Sequence, residues 1–154
     1  MNSFCKKHFI ENIERRVKRD VRQNSLIQKN EKLIVKDPLC RHFIEDVLNV
    51  PVEIKRSGKG REVLLWTMDD ELLEFLTALF RGRKHKRPAK NRIRLFRTVN
   101  DRELEAYANL KRLKFSRKRT KEEKGILKEI DRLEKEHKET RFSLLKSIEE
   151  LNRL

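Results

Sequence analysis

Apolar residues return every three or four positions across residues 6–24: Phe9, Ile10, Ile13, Val17 and Val21 form one stripe, and Arg15, Arg16, Lys18, Arg19 and Arg22 fill the remaining surface. That period predicts a basic amphipathic helix. The β-branched run Glu31-Lys32-Leu33-Ile34-Val35-Lys36 predicts a short strand, and Asp37-Pro38 caps and opens a helix through Leu39, Phe43, Val47 and Leu48. Residues 50–55 and 62–66 read as two more strands. Between them Arg56-Ser57-Gly58-Lys59-Gly60-Arg61 reads as a hairpin turn and is wrongly spaced for a Walker phosphate loop. Thr67-x-x-Asp70 predicts the start of a helix with Leu72, Leu73, Leu76, Leu79 and Phe80 on its apolar face. Ile93-Arg94-Leu95-Phe96 predicts a fourth strand, Asn100-x-x-Glu103 and Thr120-x-x-Glu123 open two helices, and Phe142, Leu145, Ile148 and Leu151 predict a last one.

Helix and strand alternate and then helices follow, which predicts an α/β fold: a small, mostly parallel sheet flanked by helices, with a helical C-terminal third. The regions are a basic N-terminal helix over residues 1–30, an α/β core ending in a basic loop over 31–99, and a helical region over 100–154. No internal repeat appears. The length of 154 residues excludes a large multidomain enzyme, and 36% apolar content still supports a modest core. The absence of a continuous apolar stretch predicts no membrane partner, and two cysteines, Cys5 and Cys40, fit the reducing cytoplasm.

Charge changes the picture. Lys and Arg number 40 against 25 Asp and Glu, a net +15, which makes a polyanion the first partner to consider. Nine of the cations fall within residues 81–97 without one acid. A solvated loop would account for such a run, but its density points to phosphate contact through Arg81, Arg83, Lys84, Lys86, Arg87, Arg92, Arg94 and Arg97. The stretches 15–22 and 111–124 extend this basic character, with Arg117, Lys118 and Arg119 the strongest part of the second. Phe9, Trp66, Tyr107 and Phe115 sit at helix or strand positions and read as core, so a nucleic acid would be read by shape and backbone. His42, His85 and His137, among charged neighbours, read as surface residues, and no catalytic triad spacing is present.

Several segments in collinear order resemble a known family. Cys5-x-x-His8-Phe9, Glu14-Arg15-Arg16-Val17-x-Arg19-x-x-Arg22 and Lys32-Leu33-Ile34-Val35 are similar to the first helix and strand of the tRNA 2-thiolation enzymes of the N-type ATP pyrophosphatase (PP-loop) superfamily. Met68-Asp69-Asp70-Glu71 with Leu79-Phe80-Arg81-Gly82 resembles their Leu-Asp-Asp-Glu helix ending in Leu-Leu-Arg-Gly. Residues 92–115, and Glu134-Lys135-Glu136-His137 with Thr140-Arg141-Phe142-Ser143, resemble the segments that follow there. The resemblance implies a nucleotide-binding-type sheet, a tRNA partner and ATP-dependent sulfur transfer.

The departures limit what it implies. Where the family has a Ser-Gly-Gly-Lys-Asp-Ser loop for ATP, this chain has Lys36-Asp37-Pro38-Leu39-Cys40-Arg41-His42, without glycine. The family's central Cys-x-x-Cys and a later cysteine are missing. Catalytic residues are therefore expected to be none. Asp69 and Asp70 match positions near nucleotide or magnesium, yet carboxylates at a helix start also serve capping and the dipole. Cys5 and His8 are half of a zinc site, which Cys40 and His42 could complete, or a relic pair. No cofactor is expected, with ATP and zinc conceivable only as remnants. The resulting expectation is a tRNA-binding or structured-RNA-binding relative without catalysis of its own. The alternatives are a partner subunit of a full-length thiolation enzyme, and residual sulfur transfer completed by such a partner.

Overall fold

A computed structural model describes residues 3–154, with side chains from Cys5 onward. Helix α1 (Ser3–Gln23) is followed by β1 (Lys32–Val35) and α2 (Pro38–His42), which continues as a π-helical segment (Phe43–Leu48). Then come β2 (Glu53–Lys55), β3 (Arg61–Thr67), α3 (Met68–Phe80), β4 (Arg92–Phe96), α4 (Asp101–Leu110), α5 (Lys121–Glu136) and α6 (Thr140–Arg153). The four strands form one parallel sheet in the order β2-β1-β3-β4.

Local sequence accounts for the helix starts. Thr67, Asn100 and Thr120 each make a reciprocal capping box with the acidic residue three positions on, as their spacing predicts. At α2 the Asp37 carboxylate accepts from the Leu39 and Cys40 amides at 2.8 and 3.2 Å, and Pro38 occupies the first turn.

One face of the sheet presents Leu33, Val35, Val63, Ile93 and Leu95 to Ile13, Val17 and Val21 of α1, Phe43 of the π-helical segment and Leu104 of α4. Tyr107 is fully buried beneath α1, with its ring 5.0 Å from Phe43, and its O–H donates to Glu14 at 2.8 Å. The alternate positions Ile34, Leu64, Trp66 and Arg94 point the other way and are half-buried. A second, smaller core joins Met68 and Leu72 of α3 to Ile130 of α5 and Leu145 and Ile148 of α6.

Three expectations need correction. Residues 56–60 do not form a hairpin, because β1 lies between β2 and β3 and all three strands run parallel. The segment crosses over β1 instead, so closely that a Cβ on Gly60 would lie 2.6 Å from the Lys32 carbonyl oxygen. The apolar stripe of α3 stops short: Leu79 and Phe80 are 59% and 69% exposed, because α5 and α6 cover only its first turns. The stripe of α6 is met at Leu145 and Ile148 but not at its ends. It buries Arg141, Leu145 and Ile148 and leaves Phe142 and Leu151 exposed, since Arg141 finds carboxylates inside. Among the described residues no helix is long and apolar enough to cross a membrane.

Candidate nucleic-acid interface

The chain leaves β1 toward β2 on one side and enters β3 on the other, so the carboxyl ends of β1 and β3 flank a topological switch point, where open α/β sheets take ligands. The carboxylates Asp37, Asp69 and Asp70 there are already engaged. The Leu39 and Cys40 amides at the start of α2 are bonded to Asp37. Asp69 accepts from Arg141 Nε at 2.8 Å and from the Asp101 amide at 2.9 Å. Asp70 closes its own capping box and also receives Arg117 and Arg119, the latter at 2.7 Å. The chain's own carboxylates and guanidiniums are thus bonded to one another at this end of the sheet. Burial, and then Arg119 alongside, push the Arg117 guanidinium below its ordinary value. Arg117 and Arg119, read from sequence as the strongest part of a binding stretch, thus belong to an interior ion cluster. Lys118 between them is exposed.

Cys5 and His8 are exposed on α1, whereas Cys40 is buried in the main core, where burial, and then Asp37, push its thiol above the ordinary value. No group of three or more His, Cys, Asp or Glu side chains is placed to hold a metal among the described residues. Cys5, His8, Cys40 and His42 therefore do not gather. His42 is not a simple surface residue: its ring nitrogens lie 2.9 Å from Asp46 and 3.0 Å from the Tyr107 hydroxyl.

The cation run 81–97 divides in two. Helix α3 ends through Gly82 at φ +63°, with the Gly82 and Arg83 amides bonded back to Leu79 and Ala78 carbonyls at 3.1 and 2.8 Å. The loop then folds back onto α3, where His85 packs edge-on against Phe75 at 5.3 Å between centroids. Both ring nitrogens of His85 are buried without a protein partner, contrary to the surface position its charged neighbours suggested. Beneath the loop lies a cleft of about 500 Å³, with Trp66 and Asp70 on its inner wall and Lys84, Lys86 and Arg119 along it.

Arg83, Lys84, Lys86, Arg87 and Lys90 are exposed, and none has an ion pair among the described residues. Arg81 meets Glu122 at 3.1 Å on the surface and Arg92 is 3.9 Å from Glu62. Arg94 and Arg97 turn inward. Arg94 lies over the Trp66 ring at 4.1 Å and bonds Glu71 and Glu74 at 2.8 and 3.0 Å. Arg97 bonds both oxygens of Asp20 at 2.8 Å, and that hydrogen bonding holds its guanidinium above the ordinary value.

No protein-family model and no curated protein matches the chain. The case for a ligand rests on the chain's own chemistry.

Sequence reasoning missed the inner partners. Arg141 bonds Asp69, Asp131 and Glu134 at 2.8, 2.8 and 2.6 Å from a nearly buried position. Its place four residues before Leu145 and seven before Ile148, on the stripe itself, was the available signal. Asp20 had the same signal, three residues after Val17 on the buried stripe of α1.

Proposed function

We propose that this chain binds structured RNA, tRNA by its resemblance to the thiolation enzymes, through the cations of the loop between α3 and β4, and that it does so in the cytoplasm without catalysis of its own. The observation that carries the reading is the cluster Arg83, Lys84, Lys86, Arg87 and Lys90, exposed on a loop without a carboxylate and without an ion pair among the described residues. Each phosphate such a cation neutralises releases condensed counterions, so affinity falls with salt by a logarithmic slope of about 0.7 to 0.9 per contact. Arg81 and Arg92 flank the cluster and can exchange their surface carboxylates for phosphate at little cost, because exposed pairs contribute only about 0–1 kcal/mol. Few aromatic side chains are available for base stacking, which favours recognition of backbone and shape.

The test is a salt titration of binding to a tRNA transcript, with the wild type beside a variant in which Arg83, Lys84, Lys86 and Arg87 become Glu. The expected result is loss of binding at physiological salt and a slope about 3 units shallower. Unchanged affinity and slope would sink the reading. Turnover of ATP to AMP by the pure protein would overturn the absence of catalysis. A second reading, a partner subunit of a larger thiolation enzyme, draws on the exposed Leu79 and Phe80 beside the loop. Co-purification that is lost on changing both to Ser would favour it.

A further inference from the structure

The outer face of α1 carries another run of free charge. Arg15, Lys18, Arg19 and Arg22 stand at i, i+3, i+4 and i+7, so they form one stripe along the helix. Residues 25–29 run opposite, bringing Lys29 to the other wall of a groove of about 740 Å³ whose floor includes Val21 and Ile27. All five cations are exposed, and none has an ion pair among the described residues.

The acids of α1 offset them only in part, beside Arg15 and Lys18. Glu11 is 3.9 Å from Lys7, Glu14 takes the Tyr107 hydroxyl and lies 3.7 Å from Lys111, and Asp20 is held inside by Arg97. No carboxylate lines the groove. The fold thus buries Asp20 and leaves Glu11 and Glu14 beside Arg15 and Lys18 at the start of the stripe, so the positive charge is in excess toward Arg19, Arg22 and Lys29.

We propose that this groove is a second phosphate-backbone site, so that one structured RNA is held both at loop 83–90 and along α1. The inference rests on RNA as the ligand of that loop. Seven residues of helix rise about 10 Å, long enough to lie beside a few phosphates of one strand. Among the described residues no aromatic side chain lines the groove, which favours backbone over bases. The geometry disfavours a membrane surface. A helix lying on lipid inserts its apolar face, and here Ile13, Val17 and Val21 are 0%, 0% and 5% exposed, packed on the sheet. Two sites on one ligand raise the overall affinity above that of either alone.

The experiment uses the full chain, a fluorescent tRNA transcript, and vesicles of phosphatidylcholine with phosphatidylserine. Arg15, Lys18, Arg19 and Arg22 are changed together to Gln, which keeps helix propensity, and Lys29→Gln serves as a separate variant outside the helix. The expected result is a salt slope shallower by about 3 for the four-residue variant and by about 1 for Lys29→Gln, with affinity at least about tenfold lower for the former. If both variants bind as the wild type does while the loop variant loses binding, the groove proposal is overturned and the proposed function stands. If the α1 variant loses binding and the loop variant does not, the groove holds and the loop assignment fails. A wild type that binds no tRNA overturns both. Binding of the wild type to the vesicles, lost in the α1 variant, together with unchanged tRNA affinity, would replace RNA by a membrane at this groove.

Discussion

Loop 83–90 and residues 94–97 are neighbours in sequence and both carry cations, yet those cations have opposite surroundings. Arg83 and Arg87 are exposed without an ion pair among the described residues, whereas the side chains of Arg94 and Arg97 are only 12% and 16% exposed and are held by four carboxylates. The strand determines the difference. Alternation along β4 aims Arg94 at the face where Trp66 and the α3 acids Glu71 and Glu74 wait, while the loop lies where neither α3 nor β4 supplies a free acid. A count of charge therefore overstates what a partner meets; the available charge is what remains after the fold has paired its own.

The contrast can be broken first at Arg94. Arg94→Ala leaves Glu71, nearly buried, facing the Trp66 indole alone, and a loss of about 3–5 kcal/mol is expected from urea unfolding. A change below about 1 kcal/mol would mean that Glu71 finds water and that β4 is no more interior than the loop. A similar loss is expected for Arg141→Ala, which strands Asp69.

The crossing loop 56–60 sharpens the comparison from another side. Gly60→Ala presses a Cβ onto the Lys32 carbonyl and should cost about 1–3 kcal/mol, because backbone on both sides must shift. Gly82→Ala meets nothing within 4 Å and should cost only the strain of its positive φ, about 1 kcal/mol.

Alkaline pH distinguishes the interior from the loop without mutation. Burial, then the hydrogen bond to Glu14, raise the Tyr107 phenol above its ordinary value, and burial, then Asp37, raise the Cys40 thiol. The folded chain thus keeps protons that the unfolded chain releases. The stabilisation is fully present below about pH 9 and is lost as pH rises, at up to about 1.4 kcal/mol per unit for each group. Urea midpoints at pH 8 and pH 10.5 should fall accordingly, and a flat profile would contradict the burial of both groups. The smallest effect belongs to the loop: changing Arg83, Lys84, Lys86 or Arg87 singly to Gln should move stability by no more than about 0.5 kcal/mol.

Much of this was readable in advance, for a physical reason. The capping boxes at Thr67, Asn100 and Thr120 involve residues three positions apart, and period-2 or period-3.6 patterns are local properties of the chain. The exceptions are long-range. Asp20 and Arg97 are 77 positions apart, and Asp69 and Arg141 are 72 apart, so no local pattern joins them. The hairpin expected at residues 56–60 failed likewise, because strand order depends on which neighbour β1 chooses.

By itself, then, the order of residues determined an α/β chain with three boxed helix starts, a strong positive charge and a run of cations without acids, since each follows from neighbours a few positions apart. Only the tertiary structure decided which cations are free. It brought distant carboxylates to Arg94, Arg97, Arg117, Arg119 and Arg141, held Asp20 of α1 inside, and left exposed charge on loop 83–90 and along α1. Burying an arginine requires a carboxylate partner, and that partner is found in space rather than in sequence.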